Sequence, residues 1–434
     1  MKTITLNFVY LNFRAFKRES SIVLLFFSFF ILMGFGEPLI KKNDRVAVIG
    51  DSITEQKQYC RFIEMYLTVC QPQLETEVFQ FGWGGETASG FLQRMDMSLK
   101  FFRPTFATLC YGMNDASYKP YEPSIGAAYE NALTQVVQKL KTAKTTVLVG
   151  GPGAVDTDIF KSGSSPATYN INLNQLTIIS KKIAVIHGFS HANLHQSMLE
   201  SMAKAKAALG KEYIPLGPDG FHPFPSGHLI MAYSFLKSMG FDGDLGTITF
   251  DLKGNATAVG GHEIKSSANG KMEIESKRYP FCFFGDNKSP QSAASMLPYL
   301  PFNAELNRLT LKVNNASSSK LKVTWGNASK EFTKEELQQG INLAAEFIPN
   351  PFNEAFARVD AAVVVKENFE TEFMKVYLRT LNYFRLQSKE GKEILAATDL
   401  LEKKAEDQWR ELSKSTKESF KPVTHTLTVE PVLN

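Results

Sequence analysis

Between Arg45 and about Gly240, five short apolar runs alternate with helical patterns, and no other feature restricts the fold as much. The runs are 45–49, 77–81, 107–111, 145–149 and 189–194, each rich in β-branched or aromatic residues. Helical patterns fall at 58–69, 87–99, 124–143, 172–187 and 197–209, with one more at 227–239 after the Pro-rich loop Pro218–Pro225. Parallel strands need long crossovers, and near-continuous apolar runs are strands buried on both faces. The pattern therefore predicts an α/β unit: a parallel five-stranded sheet flanked by helices. Such sheets gather ligands in a crevice at the carboxyl ends of their strands.

The remainder of the chain reads differently. Alternating segments at 247–252, 271–276, 308–313 and 320–324 are separated by Gly-, Asn- and Ser-rich turns, which predicts a small antiparallel β-rich unit over 246–333. Residues 334–434 read as a helical C-terminal region, with a break at Pro349–Pro351, two or three helices over 353–420, and a highly charged exposed hairpin or tail from Gln387. At the other end, Lys2, Arg14, Lys17 and Arg18 precede the apolar run Ile22–Phe35, and Gly34 and Gly36 are small residues spaced for cleavage near Gly36–Glu37. The run is short of the roughly 20 residues of a spanning helix. Residues 1–36 are expected to be a signal peptide, with an uncleaved anchor as the alternative. Four domains follow: 1–36, 37–245, 246–333 and 334–434. The mature protein is expected to be secreted or periplasmic, without a permanent membrane span.

Charge excludes some partners. The formal net charge is +4, and three of those charges sit in residues 1–36. The rest is nearly neutral, so no basic face for nucleic acid is indicated. Of the four cysteines, Cys60 and Cys70 share one predicted helix, roughly 15 Å apart, too far to bridge within it. Export permits disulfides, and the spacing demands none.

Four short clusters carry the candidate chemistry. Gly50-Asp51-Ser52 ends the first strand, and Phe81-Gly-Trp-Gly-Gly-Glu-Thr87 follows the second. Tyr111-Gly-Met-Asn-Asp115 ends the third, and Asp219-Gly-Phe-His-Pro223 lies in the loop before the last helix of the α/β unit. Three of these lie at carboxyl strand ends, which share one crevice. Alone, Gly-Asp-Ser is equally a capped turn, with Asp51 or Ser52 as the cap. Taken together the clusters supply a hydroxyl nucleophile, a base and its orienter, because a serine hydroxyl attacks only when a base takes its proton. His222 is the candidate base and Asp219, three residues before it, fixes the ring.

The four clusters, in this order, resemble those of the SGNH (GDSL) hydrolases over about residues 44–240. The resemblance implies an SGNH-hydrolase, flavodoxin-like sheet and an exported bacterial-type serine esterase. It implies Ser52, Asp219 and His222 as catalytic residues and an oxyanion hole from the Ser52 and Gly85 N–H groups and the Asn114 amide. No metal and no cofactor are implied. The first block ends in Ile53-Thr54 where the name-giving pattern has leucine, Gln80 stands where many members have asparagine, and Gly84 stands where serine is common. Gly84 and Trp83 are candidate substrate contacts, Gly84 competing with Gly85 as the donor and Trp83 serving as an apolar wall or as core.

Other features carry less. An α/β-hydrolase elbow would need Gly-x-Ser-x-Gly, which Ser52 lacks. His187, His191 and His195 are four apart, but only the first ends a helix, so their spacing does not converge on a metal. Asp51 and Asp115 read as turn and network residues. The expected substrate is a small-molecule or glycan ester, preferably a carbohydrate O-acetyl group. Lipid or thioester hydrolysis and acyl transfer are the enzymatic alternatives, and a glycan-binding module with a degenerate hydrolase unit is the non-enzymatic one.

Overall fold

The computed structural model describes residues 37–387 and 392–432, so the segment read as a signal peptide lies outside the described residues. Strand β1 (Arg45–Gly50) leads into the short helix α1 (Ser52–Glu55) and then α2 (Gln58–Met65), which widens into a π turn at Tyr66–Cys70. Next come β2 (Glu77–Gln80), α3 (Ala88–Leu99), β3 (Phe106–Cys110), α4 (Pro123–Thr142) and β4 (Thr146–Gly150). The unit closes with α5 (Pro166–His187), β5 (Ser190–Ala192), α6 (Leu194–Leu209) and α7 (Pro225–Ser238). All pairings are parallel, in the order β2-β1-β3-β4-β5. The chain leaves β1 toward β2 and returns on its other side as β3, with Val48 opposite both Gln80 and Thr108. That reversal opens a crevice at the carboxyl ends of β1 and β3. β3 is buried throughout and β1 along all but its first residue, as two covered faces require. The fifth strand is shorter than its apolar run, because the Asn193 side chain caps α6 at Gln196 N–H and starts the helix at Leu194.

Beyond α7 the chain forms β6 (Asp244–Asp251), β7 (Ala256–Ala258), β8 (His262–Ala268), β9 (Lys271–Ser276), α8 (Phe302–Leu306) and β10 (Arg308–Asn314). β11 (Lys320–Trp325), β12 (Ala328–Thr333), α9 (Lys334–Gln339), β13 (Ile341–Asn342) and α10 (Leu343–Glu346) follow. Helix α11 (Asn353–Glu372) runs through a π turn at Phe373–Leu378 into α12 (Arg379–Gln387). Helix α13 (Lys392–Ser419) returns, and β14 (Val423–Pro431) is the last element among the described residues.

The C-terminal half departs from its sequence pattern in two places. The β-rich unit is two sheets, ordered β13-β10-β6-β7 and β12-β11-β14-β9-β8, and β6 pairs parallel with β10 rather than antiparallel. Alternation reports which face a residue takes, not the direction of its partner. The C-terminal region is also not helical to its end. β14 sits centrally between β9 and β11, with His425, Leu427 and Val429 turned inward. Among the described residues no helix is long and apolar enough to cross a membrane, and the four cysteines are free and buried.

α11 explains how the C-terminal helices join the parallel sheet. β2 is an edge strand, so alternate backbone groups have no strand partner. The Lys366 ammonium donates to Val78 O at 2.8 Å and Glu370 Oε2 accepts from Gln80 N–H at 3.0 Å. Charged side chains of α11 thus occupy the open edge. Lys366 is buried between Glu64, at 3.1 Å, and Glu370. Burial would lower its pKa, but the neighbouring carboxylates outweigh burial and raise it. Around this seam Phe79, Phe101, Phe102, Phe373 and Trp409 form one aromatic cluster.

Candidate active site

β1 stops because Asp51 turns the chain. Its side chain accepts from Ile53 N–H at 3.0 Å and caps α1, which leaves Ser52 as the first helical residue over the crevice. Ser52 Oγ lies 2.8 Å from His222 Nε2, and His222 Nδ1 lies 2.7 Å from Asp219 Oδ2. A carboxylate opposite Nδ1 places the ring proton there and leaves Nε2 to accept from the serine hydroxyl. The other Asp219 oxygen accepts from the Phe221 and His222 N–H groups, at 3.1 and 3.0 Å, so the acid also builds the turn that presents the base. Burial alone would raise the Asp219 carboxyl. The hydrogen bonds from the His222 ring and from these amides outweigh it and hold Asp219 below its ordinary value, as an anion. Close contact shapes this turn: a Cβ on Gly217, whose φ is +75°, would meet His222 O at 2.1 Å.

Asn114 follows β3. Tyr118 donates its hydroxyl to Asn114 Oδ1 at 3.1 Å, and Asn114 Nδ2 donates to Glu86 O at 3.0 Å. These two contacts settle which way the amide faces. The second Nδ2 hydrogen points toward Asp51 Oδ2 at 3.4 Å, a long and therefore weak contact. Asp51 itself is buried and its carboxyl is pushed up to about 7, by burial first, with Asp115 and Glu86 adding repulsion. Asp115 is pushed up to about 6 by burial, against hydrogen bonds from Ala88 and Gly112 N–H groups that tie the start of α3 to the end of β3.

The loop after β2 completes the site. Gly85 is exposed at φ +71°, with open space where a Cβ would stand. Among the described residues, the N–H groups of Ser52 and Gly85 have no internal acceptor, which leaves two donors for a ligand. A Cβ on Gly84 would lie 2.9 Å from Glu55 Oε2, so the Glu55 carboxylate fills the place where a serine side chain would project. Trp83 is half-buried, with the Arg94 guanidinium 5.0 Å and the Lys375 ammonium 5.3 Å from its ring centre. It is therefore not a core residue.

The structure thus brings Ser52, His222 and Asp219 into one hydrogen-bonded chain and ties Asn114 to the Asp51 turn. It also shows partners that the motifs do not reveal. Glu86 is gripped by Arg94 at 2.6 and 2.7 Å and by the Tyr111 hydroxyl at 2.6 Å, which locks the loop to α3 and β3. Arg94 and Glu86 are eight apart, and no local pattern pairs them. Tyr118 is four residues after Asn114, and that spacing was its only signal. Chemically, the arrangement holds a serine hydroxyl against an imidazole backed by a carboxylate, beside free N–H donors: the parts of acyl transfer through a covalent serine.

Residues 48–230 match the model of the GDSL-like lipase/acylhydrolase family. No curated protein sequence matches the chain. Among solved structures, a gut microbial diltiazem-metabolizing enzyme is similar over 90% of this chain and 98% of its own, at 21% identity and a TM-score of 0.70. An acetylxylan esterase from Geobacillus stearothermophilus is similar over 46% of this chain and 96% of its own, at 20% identity and a TM-score of 0.39. The first likeness extends the shared fold beyond the parallel sheet to the β-rich and helical regions.

Proposed function

Residues 48–230 are a GDSL-like lipase/acylhydrolase domain, and on that premise we propose that this ester-bond hydrolase works through an acyl-Ser52 intermediate on carbohydrate O-acetyl esters. The observation that carries the mechanism is the unbroken chain from Ser52 Oγ to His222 Nε2 at 2.8 Å and from His222 Nδ1 to Asp219 Oδ2 at 2.7 Å. Ser52 Oγ attacks the ester carbonyl while His222 Nε2 takes its proton. The carbonyl oxygen gains negative charge, and the Ser52 and Gly85 N–H groups and Asn114 Nδ2 donate to it. Loss of one such donor typically costs about 3–4 kcal/mol of transition-state stabilisation. His222 returns the proton to the departing alcohol. Water, deprotonated by His222, then attacks the acyl carbon and releases acid and free Ser52. Asp219 stays ionised throughout and stabilises the imidazolium.

The acyl group and alcohol rest on other grounds. Exported members of the resembled family often deacetylate glycans, and the chain opens on a basic segment followed by an apolar run. We read that opening as an export signal, which N-terminal sequencing of the mature protein tests. The substrate reading is tested by acetate release from a panel of acetylated polysaccharides, with Ser52→Ala as the blank. Release by the wild type and none by the variant is expected. Cleavage of aryl acetate without release from any polysaccharide would leave the esterase and remove the carbohydrate.

A further inference from the structure

The side chain of Gln80, at the end of edge strand β2, faces two ways. Its Oε1 accepts from Gly82 N–H at 3.0 Å, and its Nε2 donates to Thr371 Oγ1 at 2.9 Å. Thr371 in turn donates its hydroxyl to Glu367 O at 3.4 Å, so its oxygen is free to accept and the direction of each bond is settled. The backbone N–H of Gln80 reaches Glu370, one residue earlier on α11. Four residues beyond Thr371, Lys375 pairs with Glu55 and lies 5.3 Å from the Trp83 ring centre. Glu55 borders the same loop: a Cβ on Gly82 would meet Glu55 N at 2.2 Å, and one on Gly84 its carboxylate at 2.9 Å. The loop that carries the Gly85 donor is therefore held at its root by Gln80, on its flank by Glu55, and on its Trp83 side by Lys375. Two of these three supports depend on α11 and the π turn that follows.

We propose that Gln80, Thr371 and Lys375 are positioning residues that set the Gly82–Gly85 loop for oxyanion binding, so that ester cleavage at Ser52 is governed by the C-terminal helices. The inference rests on the esterase reading above. It also accounts for the glutamine where asparagine is common: an asparagine ends roughly 1.5 Å short and cannot reach both Gly82 and Thr371. Misplacing a donor acts on the transition state, where charge develops, more than on ground-state binding.

The test compares wild type with Gln80→Asn, Thr371→Val, Thr371→Ser and Lys375→Met in the full chain. Three quantities are read: kcat and KM on p-nitrophenyl acetate, the rate at which a fluorophosphonate labels Ser52, and the thermal midpoint. In labelling, Ser52 Oγ bonds to phosphorus, fluoride leaves and His222 accepts the proton. Gln80→Asn and Thr371→Val are expected to lower kcat and labelling roughly 10- to 100-fold with KM within about threefold of wild type. Lys375→Met is expected to lower them several-fold, and Thr371→Ser, which keeps the hydroxyl, to restore them. Folded variants that keep wild-type kcat and labelling overturn this inference alone. A loss of kcat matched by loss of the folded fraction, unrepaired by Thr371→Ser, overturns it too. A wild type that the fluorophosphonate does not label at Ser52 overturns the esterase reading and this inference with it.

Discussion

At the residue scale the site is a set of bonds whose direction is determined. Asp219 makes His222 a donor at Nδ1 and an acceptor at Nε2, and Tyr118 makes Asn114 present its amide rather than its carbonyl. Ser52, Asn114, Asp219 and His222 are legible because each stands in a short local motif. Tyr118 and Arg94 are not, because they act through the fold: a hydroxyl brought to Asn114 from the turn after β3, and a guanidinium brought from α3 to Glu86 of the second cluster. Tyr118→Phe removes the donor to Asn114 Oδ1 and keeps the ring that stacks on Tyr169 at 5.3 Å. The amide is then held only from its Nδ2 end, by Glu86 O and the longer contact to Asp51. We expect kcat on p-nitrophenyl acetate to fall about tenfold with an unchanged thermal midpoint. A folded variant with wild-type kcat would show that the Nδ2 contacts orient Asn114 without Tyr118.

At the element scale, strands and helices of the parallel sheet are legible because their two periodicities, 2 and 3.6, are clean there. β14 carries an equally clear alternation, Val423-Thr-His-Thr-Leu-Thr-Val429, yet it follows a long charged helix and its partners β9 and β11 lie about a hundred or more residues upstream. Nothing local says that the strand has a sheet to join. Its place is marked by a buried relay. Trp325 Nε1–H donates to His425 Nδ1 at 3.1 Å, His425 Nε2–H to Ser276 Oγ at 2.9 Å, Ser276 O–H to His262 Nδ1 at 2.7 Å, and His262 Nε2–H to Leu245 O at 2.9 Å. Every hydrogen has one place when both rings are neutral, and a proton added to either ring would face a donor or an occupied acceptor. Burial first, and His262 next, push His425 down to about 3. Between that value and the ordinary 6.5 the unfolded chain binds the proton and the folded one does not, so stability rises with pH across this window. The contribution is complete above pH 6.5 and is lost as pH falls toward 3. His425→Gln should therefore flatten the acid limb. The urea midpoint of wild type is expected to drop more than that of the variant between pH 7.5 and 4.5, by the equivalent of about 2–3 kcal/mol. Parallel drops in the two proteins would remove the relay as the cause.

At the scale of the whole molecule, the question is whether the parallel-sheet unit is a protein by itself. Its own sequence reads as complete: five strands, their helices and all four motifs lie within residues 45–240. The packing says otherwise. Phe101 meets Phe373 at 4.6 Å and Phe102 meets Trp409 at 5.5 Å between ring centres, so aromatic residues beside β2 complete their packing against the C-terminal helices. The open edge of β2 is filled by Lys366 and Glu370 of α11. Each buried aromatic side chain removes roughly 150–250 Å² from water, at about 25 cal/mol per Å², and losing that cover across several rings exceeds the margin by which a domain is stable. Cutting from the far end fails as well, because β14 supplies the strand that joins β9 to β11. Residues 37–245 produced alone are thus expected to expose the β2 edge with its phenylalanines and to aggregate or collapse without fixed packing. Dye binding to exposed apolar surface, near-ultraviolet circular dichroism and fluorophosphonate labelling of Ser52 measure this. A soluble fragment with native near-ultraviolet signal and wild-type labelling would show that the catalytic unit stands without its C-terminal half. Native packing with labelling slowed roughly 10- to 100-fold would instead isolate the contribution of α11 to the loop after β2.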